Sequence, residues 1–121
     1  MVKFVDQQLT QLRNEVYRMW AMVYSQMDQA RQAVLGMDRN IAQQIWVRER
    51  LVDAQDIKID TQVEDFIALY TPVAVDLRFV LAMLKINSDL ERIGDYAYSI
   101  ARFVKETDAE KLDAALVDRL Q

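Results

Sequence analysis

Apolar residues recur every three or four positions along most of the chain, which is the spacing of one face of an α-helix. Three long segments carry this pattern, from about residue 5 to 35, from about 40 to 70 and from 72 to about 105. No segment alternates apolar and polar residues in the manner of a β-strand. The pattern therefore predicts three long helices.

The breaks between these segments carry recognisable start and stop signals. Gly36 stands where a helix C-terminus is expected, and Asp38 or Asn40 suits the N-cap of the second helix. Thr71 precedes Pro72, and a residue before proline resists the α conformation, so the second helix should end there. The third helix is expected to start at the proline or to be capped by Asp76.

Each predicted helix has its own apolar stripe. The stripes are Leu9, Leu12, Val16, Met19, Val23, Met27, Ala30 and Val34; Ile41, Ile45, Val52, Ile59, Val63, Phe66 and Tyr70; and Phe79, Met83, Ile86, Leu90, Ile93, Ala97, Ile100 and Val104. The second stripe is interrupted at Arg48 and Gln55, where we expect looser or polar packing. Gly94 lies inside the third helix, where it suggests a close approach by a neighbouring helix or a ligand.

The predicted fold is all-α, an elongated antiparallel three-helix bundle over residues 1–106. Helices of about thirty residues are about 45 Å long, and short connections make consecutive helices antiparallel. Residues 107–121 resemble the start of a further helix or of a second repeat, because Asp108 can cap a helix and Leu112, Leu116 and Leu120 share one face.

Composition excludes several classes of protein. The 121 residues include no Cys and no His, which rules out disulfides, thiolate zinc sites, a Ser-His-Asp triad and di-iron sites built on Glu-x-x-His. The net charge of −4 disfavours nucleic-acid binding. No apolar run is long enough to span a bilayer and no secretory signal opens the chain, so we expect a cytoplasmic protein.

Carboxylates form two acidic patches. On the second helix they are Asp53, Asp56, Asp60 and Glu64, and on the third helix Glu91 and Asp95. Steps of three and four place each set on one helix face, where like charges repel. Ion pairs with Lys58, Arg92 and Arg102 would offset this repulsion, and so would a multivalent cation. Spacing alone leaves a solvated acidic face and a metal site both open.

The two patches should lie near each other. In an antiparallel hairpin Asp56 would be level with Asp95, and Asp60 with Glu91, if the turn were centred at about residue 75. The expected turn, from Thr71 on, is centred slightly earlier. We therefore expect the patches within about one to two helical turns of each other.

The stretch from Thr71 to Ala101 resembles the PhoU family. The family's motif begins with a short segment that is matched here by Pro72, Ala74 and Asp76-Leu77-Arg78, with Thr71 where the family commonly has Gln. The helix that follows in the family is matched by Leu84-Lys85-Ile86, Asp89 to Asp95, Ala97 and Ile100. Asp56-Ile57-Lys58-Ile59-Asp60 resembles the family's D-x-x-I-D segment. The resemblance covers about residues 5 to 105 and implies the N-terminal repeat of such a protein, a three-helix bundle.

The resemblance also implies metal binding at Glu/Asp-x-x-x-Asp motifs. Carried over by position, the candidate metal ligands are Asp56, Asp60, Glu91 and Asp95, with Asp53 and Asp89 as weaker candidates. The implied ions are iron, zinc, manganese or magnesium.

The function implied by the resemblance is regulatory and not enzymatic. PhoU-like proteins act as adaptors between a phosphate ABC transporter and a phosphate-sensing histidine kinase, and they repress the phosphate-starvation response. Such an adaptor would meet the membrane only through its partners. Typical members have two repeats, so we expect the chain to be either a one-repeat member or the N-terminal half of a longer protein. If the second half is missing, the exposed seam would favour a homodimer.

Two other functions compete with this one. A helical oligomerisation module would self-associate without a specific metal or partner. A metal-dependent hydrolase would use Glu91 or Asp95 as ligands, although the sequence marks no nucleophile.

Overall fold

A computed structural model of the chain describes residues 2–107, with side chains from residue 4 onward. It contains three helices, α1 (Val2–Gly36), α2 (Arg39–Tyr70) and α3 (Ala74–Glu106), and each packs against both of the others. Within this range there is no strand. The predicted all-α three-helix bundle is confirmed, whereas the further helix predicted for residues 107–121 lies outside the described residues except for Thr107.

None of the three described helices is long and apolar enough to cross a membrane.

The link between α1 and α2 is a tight helix C-cap followed at once by an N-cap. The amide of Asp38 donates to the Ala33 carbonyl at 2.9 Å, and that of Met37 to the Val34 carbonyl at 3.3 Å. This is the Schellman pattern, with Met37 in the left-handed region at φ 46°. The left-handed residue is thus not Gly36, which ends the helix. Asp38 then caps α2 by accepting from the amides of Asn40 and Ile41.

The link between α2 and α3 consists of three residues. As predicted, α2 ends directly before Thr71, which adopts φ 41° and so cannot continue the helix. Val73 is the N-cap of α3, without a side-chain hydrogen bond. The predicted cap at Asp76 is wrong because this residue already lies within the first turn, where its charge still favours the positive end of the helix dipole.

The core has a bulky part and a part made of small residues. The bulky cluster contains Leu12, Val16, Met19, Val23, Val52, Ile59, Val63, Phe66, Val80 and Leu90. The second cluster, near the α1–α2 link, contains Ala30, Ala33, Ala42, Ile45, Ala97, Ala101 and Val104. Alanine side chains let helices approach closely, so the bundle core is thinner at this end.

The buried face of α3 differs from its predicted stripe. Ile86 and Ile93 are each 38% exposed. The buried positions include a line with seven-residue spacing, made of Val80, Asn87, Gly94 and Ala101. Because this line faces the core, the two isoleucines lie at its edge, and the prediction that they belong to the core stripe is wrong.

A polar contact joins α1 and α2 in the middle of the bundle. Gln55 donates from Nε2 to the Glu15 carboxylate at 2.8 Å and to the Glu15 carbonyl at 2.9 Å. Lys58 lies 3.3 Å from the same carboxylate. The prediction of polar packing where the second stripe is interrupted is confirmed at Gln55.

Candidate functional site

Acidic side chains of α2 and α3 meet along one side of the bundle. We call this surface the acidic groove, and its carboxylates are Glu49, Asp53, Asp56, Asp60, Glu91 and Asp95. It consists of two open cavities of about 460 and 490 Å³. Glu91 lines both cavities, so the two patches predicted from the sequence do meet.

The register of α3 against α2 decides which carboxylates are neighbours. Gly94 faces Val52, because a Cβ on the glycine would lie 3.4 Å from Val52 Cγ1. Farther along, Trp46 stacks on Tyr98 with ring centroids 4.5 Å apart. Glu91 therefore lies level with the helical turn of α2 that follows Val52. A link centred near residue 75 would instead place Glu91 level with Asp60, which is farther along α2.

The candidate ligands are divided between the two cavities. Asp56, Asp60 and Glu91 line one cavity together with Lys85. Glu91 and Asp95 line the other cavity, opposite carboxylates from the two turns of α2 that precede Asp56. The weaker candidate Asp53 lies in this second cavity.

Asp89, the other weaker candidate, is not among the residues that line the groove cavities, and its carboxylate lies 3.9 Å from Lys85 Nζ.

Asn87 is a member of this site that sequence reasoning missed. It is fully buried and donates from Nδ2 to Asp56 Oδ1 at 2.7 Å and to Asp60 Oδ1 at 3.4 Å. The signal was available in principle, since a polar residue occupies a seven-residue line with Val80 and Gly94. Searches for apolar stripes pass over such a residue.

Glu49 is a second residue that was missed. It precedes Asp53 by four positions and so extends the same acidic face by one turn. Burial, followed by the charges of Asp53, Asp95 and Glu91, raises the pKa of Glu49 to about 7. Its Oε2 atom is buried and has no hydrogen-bond partner among the described residues.

Two other groove carboxylates, Glu91 and Asp56, also have a raised pKa. Burial, and then the hydrogen bond and charge of Asp95, raises the pKa of Glu91. Burial and the charge of Asp60 raise the pKa of Asp56 against the lowering effect of the Asn87 amide. All these shifts have the same physical cause, which is negative charge crowded into a partly desolvated groove.

The expected ion pairs do not neutralise this charge. Lys58 pairs with Glu15 on α1, and Arg102 pairs with Glu106 one turn along α3. Within the described part of the chain, no ion pair involves a carboxylate of the acidic groove. The repulsion predicted from the spacing therefore persists in the folded protein.

The carboxylates nevertheless do not form a closed ligand set. Among residues 4–107, no group of three or more acidic side chains lies close enough together to hold one metal ion. An ion held by Asp56 and Asp60 would gain a third carboxylate only if Glu91 rotated towards it, which the open cavity that the three side chains share permits sterically.

Comparison with known proteins identifies the family. The model of the PhoU domain matches residues 16–104. Curated relatives named phosphate-specific transport system accessory protein PhoU homolog include one from Clostridium acetobutylicum, 34% identical over 110 residues, and one from Xylella fastidiosa, 38% identical over 101 residues. These matches cover 90% and 84% of this chain, and 50% and 42% of the relatives.

A relative from Thermotoga maritima, with the name PhoU homolog 1, is 27% identical over 116 residues, which are 96% of this chain and 50% of that protein. The chain thus spans about half the length of the curated relatives it matches. No solved structure matches it significantly. The domain match includes all of α2, most of α1 and α3 and every carboxylate of the acidic groove, and the chain belongs to the PhoU family.

Proposed function

We propose that the protein regulates phosphate uptake as an adaptor between a phosphate ABC transporter and a phosphate-sensing histidine kinase. The observation that carries this proposal is the PhoU domain match over residues 16–104, together with relatives named for phosphate-specific transport. The adaptor acts at the cytoplasmic side of the membrane, by binding and not by catalysis. It meets the membrane only through its partners.

Binding to the two partners tests the adaptor role. The transporter ATPase and the cytoplasmic part of the kinase from the same organism would be immobilised, and binding of the full chain measured by interferometry. We expect saturable binding to at least one of them. If neither binds while the chain self-associates, the result contradicts the adaptor role and favours the alternative, a helical oligomerisation module.

We also propose that the acidic groove binds metal through Asp56, Asp60, Glu91 and Asp95, with iron, zinc, manganese or magnesium as the ion. Supporting observations are the raised pKa values of Asp56 and Glu91 and the lack of ion pairs to groove carboxylates among the described residues. A hard divalent cation would relieve the repulsion that causes these shifts.

Calorimetric titration with each of the four ions tests metal binding. The paired variant Glu91→Gln/Asp95→Asn should keep its helicity and bind the preferred ion at least tenfold more weakly, since ligands are lost. Glu64→Gln/Asp65→Asn removes the same charge from exposed positions of α2 outside the groove and serves as the control. Equal affinity in both variants would exclude Glu91 and Asp95 as principal ligands.

A homodimer is the third part of the proposal. Tyr17, Trp20 and Tyr24 follow one another at helical spacing on α1 and are 60–69% exposed. Large exposed aromatic side chains at such spacing are typical of protein interfaces. Sedimentation equilibrium should give twice the mass of the chain, and Trp20→Lys should shift it towards the monomer. A wild-type monomer at micromolar concentration would contradict dimerisation.

A further inference from the structure

Asn87 links the buried seam between α2 and α3 to the acidic groove. We infer that it is a positioning residue, which holds Asp56 and Asp60 in one orientation from the opposite helix. This inference rests on the proposed metal binding of the groove. Asn87 lies between the stretches of α3 that resemble the family motif, at a position where the motif specifies no residue.

The geometry allows one amide group to address both carboxylates. Nδ2 of Asn87 lies 2.7 Å from Asp56 Oδ1, 3.4 Å from Asp60 Oδ1 and 3.5 Å from the Asp56 carbonyl. The side chain carries two N–H groups, and the two aspartates are one helical turn apart. Because Asn87 is fully buried, its amide has no room to change rotamer freely.

The orientation of this amide is set by the carboxylates themselves. Turning it over would place the carbonyl oxygen of Asn87 against Asp56 Oδ1, where two acceptors repel each other. As it stands, Asn87 Oδ1 is buried without a hydrogen-bond partner among the described residues. A buried polar atom without a partner costs stability, so packing alone would favour an apolar residue at this position.

The consequence concerns the second oxygen of each carboxylate. Asn87 engages Oδ1 of Asp56 and of Asp60, and no hydrogen bond among the described residues engages either Oδ2. Both side chains line the cavity that they share with Glu91. Asn87 thus plays the part of an outer partner that orients metal-binding carboxylates without contacting the ion.

Asn87→Leu tests this role, with Gln26→Leu as its matched control. Gln26 is also buried, at 1% exposure, and its Nε2 donates to the Ile45 carbonyl at 3.2 Å. Its Oε1 likewise lacks a partner among the described residues. Both variants therefore remove a buried amide between helices, but only Asn87→Leu removes a contact with the groove.

Two measurements separate positioning from general stability. In metal-free protein, carboxyl ¹³C resonances of Asp56 and Asp60 should shift in Asn87→Leu and stay unchanged in Gln26→Leu. In calorimetry with the ion that the wild-type protein binds best, Asn87→Leu should raise Kd by about 10- to 100-fold. Gln26→Leu should leave Kd within about twofold, while both variants show similar thermal unfolding midpoints.

Each other outcome overturns the inference in a distinguishable way. If wild-type protein binds none of the four ions, both the proposed metal binding and the role of Asn87 are refuted. If wild-type protein binds an ion but both variants, or neither, lose affinity, only the role of Asn87 is refuted. Asn87→Ser and Gln26→Ser provide the same comparison if a leucine variant does not fold.

Discussion

Gly94 offers a sharp test of how closely the three helices pack. It is buried in the middle of α3 and faces both other helices. A Cβ added there would lie 3.4 Å from Val52 Cγ1 and 3.7 Å from Val23 Cγ2. Both distances are ordinary van der Waals contacts, so the close approach expected from this glycine is real but leaves room for one methyl group.

The substitution Gly94→Ala should therefore stabilise the protein. Glycine in a helix interior costs about 1 kcal/mol relative to alanine, which the exchange recovers. Burying one methyl group adds up to about 0.8 kcal/mol. The free energy of unfolding should rise by between about 1 and 2 kcal/mol, which corresponds to an increase in Tm of about 4 °C or more.

Urea denaturation and differential scanning calorimetry of metal-free protein would measure this gain. Ala97→Gly, a buried site one turn farther along α3, serves as the control and should lose about 1 kcal/mol or more. Gly94→Leu should destabilise the fold, because its larger side chain has no space between Val23 and Val52. A loss of stability in Gly94→Ala would refute the packing distances on which the reasoning depends.

Three further predictions follow from particular contacts. The raised pKa of Glu49 adds stability that is complete below pH 4.5 and is lost as the pH rises through about 7. Glu49→Gln should therefore flatten the decline of Tm across this pH window in metal-free protein, and an unchanged decline would contradict the raised pKa. Thr71→Asn should raise the free energy of unfolding by about 1 kcal/mol in urea denaturation, since a β-branched residue is strained at φ 41° and asparagine tolerates this conformation. A decrease in the free energy of unfolding would refute backbone strain at Thr71. Gln55→Leu should lower the free energy of unfolding by about 2 kcal/mol in the same assay, because it leaves the carboxylate and carbonyl of Glu15 without their amide donor. An unchanged free energy of unfolding would show that water replaces this donor.

The helices were predictable because their signals are local. Apolar spacing identified three helices, and the cap at Asp38 and the stop before Thr71 appear in the structure where sequence placed a cap and a stop. The orientation of α3 was less predictable, since its central line includes Asn87 and Gly94, which no hydrophobicity pattern selects. Helix rotation there is decided by small size and by a hydrogen bond to another helix.

The sequence predicted that the carboxylates of the acidic groove share a surface, but not which of them are adjacent. Spacing along each helix placed the carboxylates on common faces. Which carboxylates meet depends on the axial register of α3 against α2, and this follows from the turn and from contacts such as Trp46 on Tyr98. Glu49 could have been added from its four-residue spacing to Asp53, but its position next to Asp95 depends on the register.

The three-residue link between α2 and α3 leaves little spare length between the two helices. An added residue would be taken up by a wider turn, because loops tolerate insertions and the packed core holds α3 in register. A deletion has no such outlet, since two residues would have to join helix ends that three now join. We therefore expect insertions between Tyr70 and Ala74 to preserve the contact of Asn87 with Asp56, and deletions to unwind a helix end or shift α3 along α2.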